Sequence, residues 1–297
     1  MKTTIVIVTF KSTIIHKCIK SLSKKFKIIV VENSNNIKFK RNIESKYKNT
    51  RCILSGSNLG YARANNIGLK KVKTKYALII NPDVIISTEQ IRKFESYAKI
   101  NEKFSILGPN SNGFIETVTS SFDRKSIKKK KYFNFIKNLI KNKKIFEIDF
   151  IPGWCMFLNM KEAKRINYFD KNFFLYFEDK DICKSFEKKN KKMFVLSYIK
   201  IHHIFGSSVD TNEKNRLYNF RDWHLYWSSF YYHRKHYGFF SSLLIHFSKL
   251  IRFFLLKNFY IIINNKNLYE LYKARLSGLV SQILNRTAFS SIISKID

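Results

Sequence analysis

Residues 77–84 read ALIINPDV, an apolar run suited to a buried strand that ends in Asn81-Pro82-Asp83. Proline has no N–H to donate to a sheet ladder, so Pro82 marks the end of the strand. Asp83 then places a carboxylate at the rim of a sheet, where it can bind a hard divalent cation. It can also cap the helix expected in residues 85–94, because Asp is a favoured N-cap residue. Both interpretations stay open at this point.

Strand-like and helix-like segments alternate through the first hundred residues. Strands are predicted at Thr4–Thr9, Phe26–Val31, Arg51–Leu54 and Tyr76–Ile80, and helices at 13–24 and Tyr61–Val72. Continuous apolar strands separated by helices indicate parallel pairing in a sheet covered on both faces. We therefore predict an α/β fold with a Rossmann-like, mostly parallel central sheet flanked by helices.

Polar residues follow each of these predicted strands. They are Thr9 and Lys11, residues 32–36, residues 55–58, and Asn81 with Asp83. Ligands of open α/β sheets bind outside the carboxyl ends of the strands. The sequence therefore predicts a ligand site at this edge of the sheet.

The composition narrows the class of protein only in part. The 297 residues are 45% hydrophobic and 16% aromatic, which argues against disorder. The formal net charge of +35 suits nucleic acid, an anionic membrane or an anionic substrate. Heavy use of Lys, Asn, Ile and Phe throughout the chain explains that charge equally well. The four cysteines are widely spaced, which disfavours a disulfide framework or structural zinc and favours a reducing compartment.

Two later stretches raise the question of a membrane. Residues 123–144 are lysine-rich with interleaved aromatics, which is typical of a solvated insertion or of a basic amphipathic face for a membrane surface. Residues 239–263 are the most apolar stretch, but His246, Lys249, Arg252 and Lys257 interrupt it. We therefore predict that this stretch does not cross a membrane. Helical patterns run from about residue 212 to the end, and we place a domain boundary there.

An acidic group follows the aromatic run of residues 173–177. Glu178, Asp179 and Asp181 stand close behind bulky apolar side chains in a basic chain. Desolvation and mutual repulsion raise the pKa of such carboxyls towards the range of a general base. The alternative is an acidic helix N-terminus that complements the helix dipole. Because successive positions on a helix diverge, these side chains cannot all face one site.

Two further segments carry candidate side chains. His202 and His203 end a predicted strand, and adjacent strand residues point to opposite faces, so at most one serves a site. Such a histidine can ligate a metal or bond a phosphate. Gly153 and Trp154 stand at a turn before an apolar strand, where an indole either offers a platform for a sugar ring or simply lies in the core.

Taken in order, these segments resemble glycosyltransferase family 2. The segments are IVIVTF, VVENSN, SNLGYARANNIGL, LIINPDV, GWCMFL, FDKNFFLYFEDKDIC and HHIFGSS, which together span roughly residues 3–210. They are most similar to rhamnosyltransferase-type members that build bacterial surface polysaccharides. The resemblance implies a GT-A fold in residues 1–211, with a nucleotide-sugar half (1–105), an acceptor and catalytic half (106–211), and a helical C-terminal region (212–297).

The resemblance also implies a role for particular residues. The nucleotide-sugar-binding positions are Thr9, Phe10, Glu32, Asn58, Gly60, Asn66, Asn81 and Asp83. The acceptor-binding positions are Gly153, Trp154 and Asp181. Asp179 is the implied catalytic base, with Glu178 beside it, and the implied metal ligands are Asp83 and His203 (or His202). Asn81, Glu32 and Lys11 depart from the residues usual in the family.

The implied activity is an inverting, metal-dependent sugar transfer. The resemblance implies Mg²⁺ or Mn²⁺ as cofactor, a dTDP- or UDP-type donor with rhamnose as the favoured sugar, and a glycan or polyprenyl-diphosphate-linked acceptor. The expected location is the cytoplasm, with peripheral attachment to an anionic inner membrane face as an open alternative. Two other hypotheses are a nucleic-acid-binding protein and an inactive GT-A scaffold. We expect no nucleic acid partner, since no recognisable nucleic-acid-binding motif occurs in the sequence.

Overall fold

The structure is a computed structural model that describes residues 2–22, 24–111, 134–138, 141–204 and 214–289. The elements of its first 165 residues are β1 (Thr3–Thr9), α1 (Ile15–Ser21), β2 (Lys27–Glu32), α2 (Ile37–Lys46), β3 (Thr50–Leu54), α3 (Gly60–Leu69), β4 (Tyr76–Ile80), β5 (Val84–Ile85), α4 (Thr88–Ile100), β6 (Ile106–Ser111), β7 (Ile145–Glu147), β8 (Cys155–Asn159) and α5 (Met160–Arg165). They are followed by α6 (Glu178–Glu187), β9 (Met193–His203), α7 (Lys214–Tyr237), α8 (Phe239–Ile262) and α9 (Lys266–Ile283).

The chain divides into two compact units. The first comprises Met1–Leu59, Ala64–Phe169 and Asp179–Asp210, and the second comprises Gly60–Arg63, Asp170–Glu178 and Thr211–Asp297. The domain boundary predicted near 212 and most of the lysine-rich stretch 123–144 lie outside the described residues. The second unit thus includes two short segments that the sequence does not assign to the C-terminal region.

A central sheet organises the first unit. Its strand order is β3-β2-β1-β4-β8-β6-β9-β5, and β7 also pairs with β9. Strands β1 to β4 are parallel neighbours, as predicted. Strand β8 runs antiparallel to both β4 and β6, whereas β6 and β9 are parallel. The α/β class is therefore confirmed, and the uninterrupted parallel pairing belongs to the N-terminal half of the sheet.

Local sequence explains most of these elements. Strands β1 and β4 consist largely of β-branched and apolar residues and are almost wholly buried, as expected for the centre of a covered sheet. Helix α4 buries Ile91, Phe94 and Ala98, which recur at the spacing of one helix face. Helix α2 follows a run of turn-forming residues and was not predicted. It buries only Ile43, so its apolar periodicity gives almost no signal.

Three long helices make up most of the second unit. Trp223 and Trp227 of α7 form a cluster with Ala274 of α9 and with Phe174. Gly278 of α9 lies so close to α7 that a Cβ there would collide with the carbonyl of Trp223. Among the helices that the structure describes, only α8 is long and apolar enough to cross a membrane. Length and composition alone do not establish that it does.

Candidate active site

The carboxyl ends of the parallel strands meet at one edge of the sheet. Thr9 is in register with Glu32, and Glu32 with Leu54, so β1, β2 and β3 end together. Strand β4 is in register with β1 up to Ile80, which places the Asn-Pro-Asp segment beyond the same edge. The Asn33 N–H also donates to the Thr9 carbonyl at 2.8 Å. The alternation of strands and helices therefore predicts this polar edge correctly.

The Glu32 side chain accepts hydrogen bonds from the turn that directly follows it. One carboxylate oxygen accepts hydrogen bonds from the N–H and the hydroxyl of Ser34, at 3.0 and 2.5 Å, and the other accepts from the N–H of Asn36 at 2.6 Å. The side chain is almost fully buried. These bonds explain how the run of turn formers after β2 adopts one shape. They give Glu32 a positioning role at the predicted nucleotide site.

The asparagines of the edge also position the backbone. Asn33 donates to the Asn58 side chain at 3.0 Å and accepts from the Leu59 N–H at 3.0 Å, which fixes the loop after β3. Asn66 exchanges two hydrogen bonds with the main chain of Phe169, at 2.8 and 3.1 Å. Asn33 was not singled out from the sequence. Its place in a run of polar turn formers carries no sign of this bridging role.

Gly60 occupies a position that requires glycine. Its φ is +73°, which side chains rarely adopt, and a Cβ would collide with the carbonyl of Phe174. The N–H of Tyr61 donates to that same carbonyl at 2.7 Å. Gly60 thus allows a close approach of two backbone segments within the second unit.

Asp83 does not cap the following helix. Helix α4 has Ser87 as its N-cap, and Ser87 and Gln90 form a reciprocal capping box. The Asp83 carboxylate is 2% exposed, and its Oδ1 lies 3.3 Å from Nε2 of His203. That approach lacks hydrogen-bond geometry, although its distance is that of an ion pair. Of the two interpretations left open by the sequence, the structure thus excludes the capping one.

The two adjacent histidines have different surroundings. In the antiparallel pairing of β5 with β9, His203 is in register with Val84, and His202 with Ile85. His203 is buried beside Asp83, whereas His202 is exposed. If one of them serves as a ligand together with Asp83, this arrangement favours His203.

The Gly153-Trp154 segment connects the two parts of the site. The Trp154 ring stacks on His203, with centroids 5.1 Å apart, and the Trp154 carbonyl accepts from the N–H of Asn81 at 3.0 Å. The N–H of Gly153 donates to Oδ2 of Asp179 at 3.1 Å. One turn therefore contacts the Asp83–His203 pair on one side and Asp179 on the other.

Burial raises the pKa of the Asp179 carboxyl above its ordinary value. The hydrogen bond from Gly153 and the nearby Lys180 oppose that rise, and the Lys180 N–H donates to Oδ1 at 2.8 Å. Asp179 nevertheless keeps partial solvent access, whereas Glu178 and Asp181 are buried. Of the three carboxylates, Asp179 is therefore the one that keeps access to solvent.

The backbone before this acidic group is strained. Tyr176 and Phe177 have φ values of 68° and 66°, a region that is costly for residues with large side chains. Such strain persists only where surrounding contacts enforce it, and it is frequent at functional sites. It accompanies the sharp turn into α6, whose first residues are Glu178 and Asp179.

The donor set at the edge fits a divalent cation that also binds a ligand. Within the described part of the chain, no group of three or more His, Cys, Asp or Glu side chains could enclose a metal. Asp83 and His203 offer one oxygen and one nitrogen donor. Four buried polar atoms of the pair, of the Trp154 turn and of the end of β1 have no hydrogen-bond partner among the described residues, namely Asp83 Oδ1, Trp154 Nε1, Thr9 Oγ1 and Ser12 Oγ. A cation bound here would take its remaining ligands from water and phosphate oxygens.

The fold is an α/β fold, and its polar edge lies at the carboxyl ends of the parallel strands β1 to β4. The profile of glycosyl transferase family 2 matches residues 4–165, more than half of the chain. The chain therefore belongs to that family. The match covers every predicted nucleotide-sugar position and ends before Asp179.

Two curated relatives have related activities in their names. The low-salt glycan biosynthesis hexosyltransferase Agl10 of Haloferax volcanii is 25% identical over 197 residues, 63% of this chain and 62% of the relative. The rhamnosyltransferase WbbL of Escherichia coli K12 is 27% identical over 220 residues, 67% of this chain and 79% of the relative. The match thus spans less than two thirds of the length of Agl10.

Solved structures share the fold at low identity. The mannosyltransferase PcManGT of Pyrobaculum calidifontis, in complex with GDP-Man and Mn²⁺, has a TM-score of 0.57 at 10% identity and covers 96% of this chain and 87% of its own. GalNAc-T7 with UDP, GalNAc and Mn²⁺ has a TM-score of 0.52 at 11% identity, over 75% of this chain and 51% of its own. Residues 1–349 of S. aureus TarS have a TM-score of 0.53 at 12% identity, and the match covers 96% of this chain and 92% of the TarS chain.

Proposed function

We propose that this glycosyltransferase moves a sugar from a nucleoside diphosphate to a glycan or lipid-linked glycan by a single inverting displacement that depends on a divalent cation. One observation carries the proposal. The Trp154 ring stacks on His203 of the buried Asp83–His203 pair, and the N–H of the neighbouring Gly153 donates to Asp179. A candidate diphosphate and metal site therefore lies next to a candidate base.

The residues divide the work of the reaction. Asp179 accepts the proton of the acceptor hydroxyl as its oxygen attacks the anomeric carbon, and burial, which raises the pKa of its carboxyl, makes the carboxylate a stronger base. The Gly153 N–H holds the carboxylate in place. A divalent cation bound by Asp83 and His203, Mg²⁺ or Mn²⁺, would supply positive charge to the diphosphate leaving group. Direct attack opposite that group inverts the anomeric centre without a covalent intermediate.

The donor and acceptor follow from chemistry and from the relatives together. Mn²⁺ and a nucleotide or nucleotide sugar occur in two of the structurally similar proteins. The names of WbbL and Agl10 support a rhamnosyl or other hexosyl donor, and we propose that its nucleotide is of dTDP or UDP type. The name of Agl10 supports a role in glycan synthesis, which we assign to bacterial surface polysaccharide. A polyprenyl-diphosphate-linked acceptor would place the enzyme at the cytoplasmic face of the membrane.

The experiment that tests this function separates donor binding from chemistry. Melting temperature is measured with dTDP- and UDP-sugars, each with and without Mn²⁺, and nucleoside diphosphate release is followed with water or glycan as acceptor. Binding of a ligand to the folded state alone at ~100 times its Kd adds about 2.7 kcal/mol, which is readily detected. We expect a Mn²⁺-dependent shift with one donor series. Its absence with every donor would contradict the proposal.

The base assignment is tested with Asp179→Asn. We expect the donor-induced melting shift to remain, and the rate of release to fall by about 10²–10⁴, as is usual for loss of a general base. Glu187→Gln is the matched control, since Glu187 is an exposed carboxylate at the far end of the same helix. Equal turnover in the wild type and Asp179→Asn would refute the role of Asp179.

A further inference from the structure

Helix α8 (Phe239–Ile262) carries an unusual amount of exposed apolar surface. Six large side chains recur at intervals of three and four residues and lie along one side of the helix. We call them the α8 stripe: Phe240, Leu244, Phe247, Ile251, Phe254 and Leu255. Phe240 and Leu244 are 79% and 78% exposed, and the others are about half exposed. Water-soluble monomers rarely expose a contiguous apolar surface of this kind.

The opposite side of α8 is held by its neighbours within the second unit. Phe253 packs with Phe230 of α7 and Leu279 of α9 in one buried cluster. The Ser242 hydroxyl donates to the Phe230 carbonyl at 2.9 Å, and Nε2 of buried His246 lies 2.9 Å from the Ser229 hydroxyl. The rotation of α8 about its axis is therefore fixed, and the stripe faces away from α7 and α9.

The charges of α8 are all of one sign. The helix contains Lys249, Arg252 and Lys257 and no Asp or Glu. Lys249 and Arg252 are exposed, and on a helix of 3.6 residues per turn Arg252 and Lys257 lie on the two flanks of the stripe. An apolar stripe flanked by cations matches the boundary between acyl chains and anionic headgroups, where long cationic side chains reach back to the phosphates.

We propose that the α8 stripe docks on an anionic membrane surface, with α8 lying in the plane of the interface. Charge favours lipid over a second copy of the chain, because two such helices would bring their cations together without any acidic partner. The packing of α8 favours lying on the bilayer over crossing it. Crossing would carry α7 and α9 into hydrocarbon together with Arg234, Glu270 and Lys273.

Membrane docking would bring the candidate active site to a lipid-linked acceptor, and in this respect alone the inference rests on the proposed function. The surface itself is argued from α8 alone. Its test therefore needs two independent readouts. Flotation of the full chain with vesicles measures membrane binding, and the Mn²⁺-dependent melting shift with a sugar nucleotide measures the donor site.

The probes are vesicles of phosphatidylcholine alone and vesicles that also contain phosphatidylglycerol. The apolar variant is Phe247→Ser with Ile251→Ser and Phe254→Ser, and the charge variant is Arg252→Gln with Lys257→Gln, which removes the two cations that flank the stripe. The matched control is Ile37→Ser with Ile100→Ser, which removes apolar side chains that are 54% and 81% exposed in the first unit. Circular dichroism checks that each variant folds.

We expect the wild type and the control to float with anionic vesicles and to be released by a carbonate wash. The apolar variant should bind about tenfold more weakly or worse, and the charge variant should lose the preference for phosphatidylglycerol. All folded variants should keep the donor-induced melting shift. If that shift is absent from every protein, including the wild type, the proposed function fails while the flotation result still decides the docking surface.

Four outcomes would overturn the docking surface. The first is that the wild type does not float with anionic vesicles. The second is that a folded apolar variant floats as well as the wild type. The third is that the bound wild type resists the carbonate wash, which indicates a spanning helix. The fourth is a wild-type dimer, seen by light scattering, that the apolar variant dissolves without any vesicle binding. That result would assign the stripe to a second copy of the chain.

Discussion

Mild acid should weaken the second unit because two buried histidines there are held neutral. His224 is fully buried, stacks on Phe174 with ring centroids 4.4 Å apart, and has no hydrogen-bond partner on either ring nitrogen among the described residues. His246 lies between the Ser229 hydroxyl and the Ser242 carbonyl, which suits a neutral ring that accepts at Nε2 and donates at Nδ1. Burial disfavours the charged form of both rings.

The pKa shifts give the size and sign of the effect. Burial lowers the pKa of His224 from 6.5 to about 3 and that of His246 from 6.5 to about 4. Between those values and 6.5 the unfolded chain binds more protons than the folded chain, so the free energy of unfolding falls as pH falls. At pH ~5, about 1.5 units below the unfolded pKa, each histidine lowers the free energy of unfolding by about 2 kcal/mol. The two histidines together lower it by about 4 kcal/mol.

The measurement is urea unfolding at pH ~7.5 and ~5, followed by tryptophan fluorescence. Trp223 and Trp227 lie on α7 close to His224 and report on this unit. His224→Phe keeps a ring to stack on Phe174 and should recover about half of the loss at low pH. His202→Gln, which changes an exposed histidine of the first unit, should recover none of it. A loss below about 1 kcal/mol, or one unaltered in His224→Phe, would refute the reasoning.

Three further predictions concern single contacts. Asp83→Asn and His203→Gln should each weaken Mn²⁺ binding in the presence of the donor by about tenfold or more, or abolish it. Titration with Mn²⁺ measures this through the Mn²⁺-dependent part of the donor-induced melting shift. A shift that stays Mn²⁺-dependent and equally strong contradicts the ligand assignment. Ser87→Ala should lower the free energy of unfolding by about 1 kcal/mol through loss of the α4 cap while the donor-induced shift is retained, and a lost shift would couple the cap to the site. Gly278→Ala should destabilise the fold by about 1–3 kcal/mol in urea unfolding, because its Cβ collides with the Trp223 carbonyl; unchanged stability would mean that α7 and α9 separate at no cost.

The polar edge shows how much local sequence can reveal. The runs TIVIVT, KIIVV and YALII each end in polar residues, and a buried strand must end where its apolar run ends. Helices that connect parallel strands let all these strands run in one direction, so their carboxyl ends lie at the same edge of the sheet. The α/β class, the site edge and the candidate side chains follow from that reasoning. The same reasoning misses α2, because a helix that buries a single side chain leaves no apolar period to detect.

Other features depend on contacts between distant segments. The sequence left Asp83 as cap or ligand, and it left His202 as an alternative to the favoured His203. The pairing of β5 with β9 and the capping box at Ser87 distinguish these alternatives. The insertion of β8 beside β4 brings the turn at Gly153-Trp154 to the end of β4. No local pattern encodes such a meeting, since the order of strands results from how the whole core is buried.

The sequence by itself therefore determined which chemical groups stand at the strand ends and which family the chain resembles, because both are carried by short contiguous runs. Only the tertiary structure decided that His203 is the histidine beside Asp83 and that the Trp154 turn also holds Asp179. It also decided which side of α8 is left exposed. A helical period shows that a face is apolar, but only the packing of neighbouring helices shows whether that face is covered.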